Sequence, residues 1–273
     1  MVWRASAVVL VLAGVVIGLL WMFQRHLIYF PDRSPVPSAA AVLVGAQDII
    51  LQTSDGLALS AWFVLPTGTP RNGAVLLVPG NAGNRADRAE LADELRRQGF
   101  AILLMDYRGY GGNPGTPSEA GLARDSDAAV AALTELGYPS ERTIYFGESL
   151  GAAVVASLQQ RHPPAGVVLR SPFTELADVG AHLYPWLPVR LLLRERFPVA
   201  QLMATSQVPA VVVYGDSDTV VPPTLSAGVA HSAGALVSEV VLSGADHNDP
   251  QMFGTEVVGA VVRLADHVGL PVA

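Results

Sequence analysis

The sequence contains no cysteine and no lysine among its 273 residues. Without cysteine there is no disulfide framework, no thiolate metal site and no cysteine nucleophile. Charged residues make up only 15% of the chain, well below the roughly 25% of an average soluble domain. The 17 basic residues are scattered arginines in a chain of net charge -7, so there is no basic stripe and nucleic acid is excluded as a partner. A hydrophobic content of 51% excludes intrinsic disorder.

The N-terminus carries a long run without charge. Twenty residues, Ala5 to Gln24, lie between Arg4 and Arg25, and a helix of this length measures about 30 Å, the thickness of the hydrocarbon core of a bilayer. A cleaved signal peptide would have a shorter apolar run followed by small residues, whereas bulky residues follow here. We therefore predict one transmembrane helix, with residues 1–25 as a single-pass anchor. The flanking positive charges are nearly balanced and leave its orientation undetermined.

After a predicted linker over residues 26–47, strand and helix patterns alternate from residue 48 to 273. Short apolar runs predict buried strands, and helical stretches between them indicate a mostly parallel, doubly wound α/β sheet. Proline-punctuated helical sequence at about 173–208 predicts a small cap insertion. The predicted strands cover 48–53, 57–65, 74–78, 101–105, 143–146, 166–169, 210–214 and 237–242; the predicted helices cover 85–98, 122–136, 150–161, 225–233 and 254–267.

A G-x-S-x-G pattern, Gly147-Glu148-Ser149-Leu150-Gly151, follows one predicted strand and precedes a predicted helix. A serine on such a tight turn is lifted clear of the sheet, and the helix N-terminus helps to hold negative charge. The bare pattern is weak evidence, but its strand-turn-helix setting makes Ser149 the candidate nucleophile.

A serine nucleophile needs a base and an acid that orients the base. Of the six histidines, His247 lies in a polar loop after the last strand, where the order serine, acid, histidine places the base. The acid is expected after the strand 210–214, where Asp216 and Asp218 both qualify and spacing alone does not separate them. For the developing oxyanion we predict two backbone N–H donors, Leu150 after the nucleophile and Asn81 in the loop after strand 74–78.

Together these residues resemble the alpha/beta-hydrolase superfamily, and more closely its membrane-anchored alpha/beta hydrolase domain-containing serine hydrolases of the BEM type. The resemblance begins near Leu27 and continues to the end of the chain. The matching motifs are Leu27-Ile28-Tyr29-Phe30-Pro31, Gly80-Asn81-Ala82-Gly83-Asn84, Asp106-Tyr107-Arg108-Gly109-Tyr110-Gly111, Pro117-Ser118-Glu119, Gly147 to Gly151, Ser171-Pro172-Phe173-Thr174, Asp218 to Pro222 and His247-Asn248-Asp249.

The resemblance implies an alpha/beta-hydrolase fold and favours Asp218 over Asp216 as the acid. One departure is Pro79, since the family usually has histidine before the Gly-Asn of the oxyanion loop. Because the donor N–H belongs to Asn81, catalysis is expected to survive. Arg108 also matches the family, and we interpret it as a brace for loops beneath the site.

We therefore expect a serine hydrolase that cleaves carboxylic esters or thioesters of apolar, lipid-like acyl groups, with no metal or organic cofactor. The cap side chains Leu183, Trp186, Leu187, Leu191 to Leu193 and Phe197 either line an acyl pocket or simply pack on the sheet. Two alternatives are an amide or peptide hydrolase using the same triad and a non-catalytic membrane scaffold. The sequence leaves the oligomeric state undetermined.

Overall fold

The computed structural model describes residues 2–272, except for the side chains of residues 2–5, 7–11 and 13. The strands are β1 (Phe30–Pro31), β2 (Gln47–Gln52), β3 (Ala58–Val64), β4 (Ala74–Val78), β5 (Ala82–Gly83), β6 (Ala101–Met105), β7 (Thr143–Glu148), β8 (Gly166–Arg170), β9 (Ala210–Gly215) and β10 (Leu236–Leu242). The α-helices are α1 (Val2–Phe23), α2 (Arg25–Ile28), α3 (Ala39–Val42), α4 (Ala89–Arg97), α5 (Glu119–Glu135), α6 (Leu150–Arg161), α7 (Leu176–Leu183), α8 (Val189–Leu192), α9 (Val199–Ala204), α10 (Pro223–Ser232) and α11 (Thr255–His267).

In the described part of the chain, eight strands form one sheet in the order β10-β9-β8-β7-β4-β6-β3-β2. β3 is antiparallel to both β2 and β6, and the other neighbours are parallel. Every residue of β4, β6, β7, β8 and β9 is buried, because apolar layers cover both faces of the sheet. The predicted mostly parallel α/β sheet is therefore confirmed.

The N-terminal segment forms the helix α1, but the predicted membrane span is not confirmed. Among the residues that the structure describes, no helix is long and apolar enough to cross a bilayer. Part of the predicted anchor, the side chains of residues 1–5, 7–11 and 13, lies outside the described residues. The predicted transmembrane helix accordingly stays a hypothesis.

The segment predicted as a linker, residues 26–47, contains β1, α3 and all of α2 except Arg25. Ile28, Tyr29, Ala39 and Leu43 from this segment are buried in the two apolar layers. β1 pairs with β5, and the Phe30 N–H donates to the Asn81 carbonyl over 2.8 Å. This segment thus fixes the loop after β4, although the domain boundaries themselves remain a prediction.

The insertion between β8 and β9 is helical, as the sequence predicts, and contains α7, α8 and α9. Its chain is pinned to the body of the protein by reciprocal contacts with the start of α5. The Glu119 N–H donates to the Glu195 carboxylate, and the Glu119 carboxylate accepts from the N–H groups of Arg196 and Phe197. These contacts hold the insertion, here called the cap, over the carboxyl ends of the strands.

Candidate active site

Ser149 lies on a sharp turn between β7 and α6 with a backbone φ of 52°. Flanking glycines make this turn possible. A Cβ at Gly147 would lie 2.5 Å from the Gly151 carbonyl oxygen, and one at Gly151 would lie 2.2 Å from the Val78 carbonyl oxygen. The two glycines therefore let α6 pack closely against β7 and the end of β4. A positive φ in a residue that is not glycine is strain that the surroundings must hold in place, and such strain clusters at functional sites.

His247 and Asp218 form a buried pair. His247 Nδ1 lies 2.6 Å from Asp218 Oδ2, and the other carboxylate oxygen accepts from the N–H groups of Val220 and Val221 at 2.9 and 2.7 Å. Burial raises the pKa of Asp218, but the hydrogen bond and charge of His247 and the two N–H donors lower it further, so the pKa lies below its usual value. Asp218 is thus held as an anion beside the imidazole.

Asp216, the alternative acid, points elsewhere. Its carboxylate is exposed and accepts from the Gly244 N–H over 2.6 Å and from the Ser217 hydroxyl over 3.1 Å. Asp216 therefore ties the turn after β9 to the turn after β10. The structure brings Asp218, and not Asp216, to His247.

Asp246, which the sequence analysis did not single out, joins the two loops that carry this pair. One of its carboxylate oxygens accepts from the N–H groups of Thr219 and His247, each at 2.7 Å. The bond from Thr219, followed by that from His247, lowers the pKa of Asp246. In the sequence, the only indication that Asp246 joins the two loops is its position directly before the candidate base His247.

Arg170 links the serine turn to the histidine loop. Its carbonyl accepts from the Ser149 N–H over 2.8 Å, and its buried guanidinium donates to the His247 carbonyl over 2.9 Å. The Ser149 hydroxyl makes no hydrogen bond to His247 among the described contacts. Such bonds are commonly long without substrate and tighten when it binds.

Glu148, at the first variable position of the G-x-S-x-G pattern, forms ion pairs with two arginines. Arg88 Nη2 donates to its carboxylate over 2.6 Å, and Arg170 Nη2 lies 3.0 Å away as an ion pair. Burial raises the pKa of Glu148, but the charges of Arg170 and Arg88 outweigh burial and lower it to about 2. The Arg170 guanidinium also stacks on the Phe253 ring at 4.6 Å from its centre. Sequence reasoning missed this cluster.

Asn81 and Leu150, the predicted oxyanion donors, line the same cavity as Ser149. Leu150 is the first residue of α6, so its N–H belongs to the free N-terminal end of that helix. The backbone carbonyl of Asn81 accepts from the Phe30 N–H and the Tyr110 hydroxyl, and its side-chain Nδ2 donates to the Ile28 carbonyl. Arg108 lies away from this cavity, in an ion pair with Asp125 and Asp55, as the interpretation of a structural brace predicts.

The cavity in front of Ser149 has a volume of about 260 Å³ and is lined mainly by apolar side chains. It is close to the lower end of small-molecule sites, roughly 300–1,000 Å³. Of the predicted cap residues, Leu183, Leu187, Leu192 and Leu193 line it. Trp186 and Leu191 are exposed instead, and Phe197 is buried in the core. The cavity is also lined by Leu20, Trp21, Gln24, Leu27, Ile28 and Phe30 of the N-terminal segment.

Within the described residues, no group of histidine, aspartate and glutamate side chains is arranged to hold a metal ion. The candidate site combines Ser149, the His247–Asp218 pair and an apolar cavity.

Comparisons with known proteins identify the family and the fold of this chain. The family model described as "Serine aminopeptidase, S33" matches residues 69–202. The alpha/beta hydrolase domain-containing protein WAV2 of Arabidopsis thaliana is 31% identical over 78% of this chain and 76% of its own length. This chain belongs to the alpha/beta-hydrolase family. An uncharacterized protein of Mycobacterium tuberculosis is 47% identical over 94% of this chain and 92% of its own.

Two further comparisons concern location and fold. An uncharacterized membrane protein of Saccharomyces cerevisiae is 28% identical over 82% of this chain and 83% of its own length. An esterase of Pyrococcus furiosus superposes with a TM-score of 0.69 at 20% identity, covering 88% of this chain and 97% of that one. At this identity the superposition shows the alpha/beta-hydrolase fold.

Proposed function

We propose that this alpha/beta hydrolase is a serine esterase or thioesterase acting on apolar acyl groups. The observation that carries the proposal is the strained Ser149 turn opening into an apolar cavity next to the buried His247–Asp218 pair. This combination supplies a nucleophile, a base with its orienting acid, and space for an acyl chain.

In the proposed reaction, His247 takes the Ser149 hydroxyl proton as the serine oxygen attacks the acyl carbonyl. The N–H groups of Leu150 and Asn81 hold the negative charge that develops on the carbonyl oxygen. The carbon–oxygen or carbon–sulfur bond then breaks, and His247 returns the proton to the leaving group. Water, deprotonated by His247, releases the acid from Ser149. Asp218 keeps the imidazole in the tautomer that this sequence needs.

Amide or peptide hydrolysis is the second candidate, and the description of the matching family model as a serine aminopeptidase favours it. An aminopeptidase must bind the charged amino end of its substrate, which calls for an anionic group in the site. Among the described residues that line the cavity there is no aspartate or glutamate. The lining therefore supports an uncharged acyl group over a peptide amino terminus.

We further propose that α1 holds the enzyme at a membrane, as a single-pass anchor of undetermined orientation. The uncharged run from Ala5 to Gln24 lies in the single helix α1 as far as Phe23, and the yeast relative is named a membrane protein. A membrane is also where esters of long apolar acyl groups accumulate.

Labelling with a fluorophosphonate tests the mechanism. The detergent-solubilised full chain is expected to gain one adduct by intact mass, while Ser149→Ala and His247→Ala gain none. Hydrolysis of ester, thioester and amide substrates with the same acyl group then ranks the bond types. A well-folded wild-type protein that takes no label would refute the proposed mechanism and favour the non-catalytic scaffold.

A further inference from the structure

The cavity in front of Ser149 has two unlike walls. One consists of cap side chains, including Leu187 and Leu192, and the other of residues from the last turns of α1 and from α2, including Leu20 and Leu27. These walls are far apart in the chain. An N-terminal helix that served only as a tether would have no reason to line the site.

Polar contacts fix the N-terminal wall against the cap. The Gln24 amide donates to the Trp21 and Leu192 carbonyls at 2.8 and 3.3 Å, and its oxygen accepts from the Arg194 N–H over 2.8 Å. The Arg194 guanidinium lies over the Trp21 ring, 4.4 Å from its centre. Gln24 is buried, so these bonds replace water that its amide would otherwise need.

Glu195 adds a second connection beside the first. Its buried carboxylate accepts from Arg25 Nε over 2.7 Å and from the Tyr29 hydroxyl over 3.2 Å. The same carboxylate accepts from the Glu119 N–H at the start of α5. One cap residue thus ties the end of the N-terminal segment to the body of the protein, and the wall has a defined position.

We infer that the last turns of α1 contact the acyl chain of the substrate and set the acyl length that the enzyme prefers. Resting on the proposed esterase function, the inference makes Leu20 a specificity-determining residue. Since Ser149, Leu150 and Asn81 line the same cavity, a carbonyl placed at Ser149 directs its chain between the cap and α1. The substrate class is then a fatty acyl ester or thioester whose chain is held partly by the N-terminal helix.

The neighbouring positions Leu19 and Leu20 provide a matched test. Leu20 is half-buried and lines the cavity, whereas Leu19 is 47% exposed and does not. Leu20→Trp would fill the cavity and Leu20→Ala would enlarge it, while Leu19→Trp and Leu19→Ala make the same changes outside it. All are made in the full chain, in one detergent, and assayed on p-nitrophenyl esters from acetate to palmitate.

For Leu20→Trp we expect the kcat/KM ratio of dodecanoate to butyrate to fall about tenfold or more, since small changes in an apolar pocket alter selectivity by roughly 10–200-fold. Leu20→Ala should move the preferred length upward, and both Leu19 variants should keep the wild-type profile. Both Leu19 variants should also keep the wild-type rate of fluorophosphonate labelling.

The two hypotheses fail in different ways. If the Leu20 variants label normally and keep the wild-type chain-length profile, or if the Leu19 variants shift it equally, the wall is not a substrate contact. If wild type neither labels nor hydrolyses any ester, the esterase proposal itself fails and the inference falls with it.

Discussion

Asp218 lies between two kinds of partner, the imidazole of His247 and the N–H groups of Val220 and Val221. The hydrogen bond and charge of His247, followed by the two N–H groups, keep the pKa of Asp218 low. The N–H groups also hold one carboxylate oxygen in place, so that the other faces the imidazole. Asp216, two residues earlier, has the same chemistry but no contact with the imidazole. The role that we propose for the acid therefore depends on position alone.

We predict that Asp218→Asn lowers kcat for a short-chain ester by roughly 10⁴-fold, because an amide cannot hold the imidazole in the required tautomer. KM should change little, since Asp218 does not line the cavity. Asp216→Asn, measured in the same assay, should retain most of the activity. Equal losses in the two variants would contradict the assignment of the acid.

Gly151 is the residue on which the closeness of α6 to the end of β4 depends. A Cβ there would meet the Val78 and Pro79 carbonyl oxygens at 2.2 and 2.5 Å, and backbone atoms cannot rotate away. We expect Gly151→Ala to lower the free energy of unfolding, measured by urea unfolding in detergent, by about 1–3 kcal/mol. The same substitution should reduce fluorophosphonate labelling.

Gly259→Ala in α11 is the control, because its Cβ would meet only the end of the Arg263 side chain at 3.1 Å. Replacing a helical glycine there should raise stability by roughly 0.5–1 kcal/mol. A Gly151→Ala protein as stable as this control would refute the proposed clash.

Several elements meet at the Glu148 cluster, which joins the ends of β7 and β8 to the turn before α4 and, through Arg170, to the His247 loop. The pKa of the Glu148 carboxyl lies near 2 in the folded protein, against an ordinary value of 4.5. The ionised carboxylate therefore stabilises the fold fully above about pH 4.5. That stabilisation is lost as the pH falls from 4.5 towards 2.

We therefore predict that Glu148→Gln is less stable than wild type at neutral pH, by about 3–5 kcal/mol, because buried Arg170 and Arg88 lose their counter-charge. The difference should shrink as both proteins are unfolded at successively lower pH. A constant difference from neutral pH down to the acid limit would show that Glu148 does not titrate as described.

Strands and helices that are marked by a continuous run of characteristic residues were predicted closely from the sequence. β4 and β6 begin and end where their apolar runs do, and α6 spans its predicted residues. The predicted helix over 85–98 is instead a 3₁₀ turn, Arg85–Arg88, followed by α4. Asn84 and Asp87 form a capping box at the start of that turn. Arg88, the last residue of this turn, also donates to Glu148. A hydrophobic pattern does not predict such a long-range bond.

The candidate site was predictable to the extent that its residues follow strands. Ser149, His247 and the two possible acids all lie at strand ends, which the apolar runs locate. The choice of Asp218 came from family resemblance, since spacing does not encode which carboxylate faces the imidazole. Arg170, Asp246 and Gln24 were missed because their partners lie far away in the sequence and only the folded chain brings them together.

At the scale of the whole molecule, residues of the N-terminal helix and of the α/β-hydrolase body line one cavity. We predict that the full chain sediments with membranes, resists extraction by high salt and alkaline carbonate, and is released by detergent. Leu12 and Val16 are both exposed on α1. Inserting an arginine at the centre of a bilayer costs about 2.5–3.5 kcal/mol. Replacing both residues by arginine should therefore move the protein to the soluble fraction.

Replacing the same two residues by alanine is the control and should leave the protein in the membrane fraction. Release of the wild-type protein by salt alone would contradict the anchor and leave the catalytic proposal unaffected.

The contact between Gln24 and the cap has a practical consequence for anyone purifying this protein. Deleting the N-terminal helix is the obvious route to a form that needs no detergent, but it would also remove Leu20, Trp21 and Gln24 from the cavity. The cap would lose the bonds at Leu192 and Arg194 that hold it in place. A shortened protein would therefore have a different cavity in front of Ser149, and if the proposed esterase activity is measured on it, the substrate preferences would not transfer to the full chain.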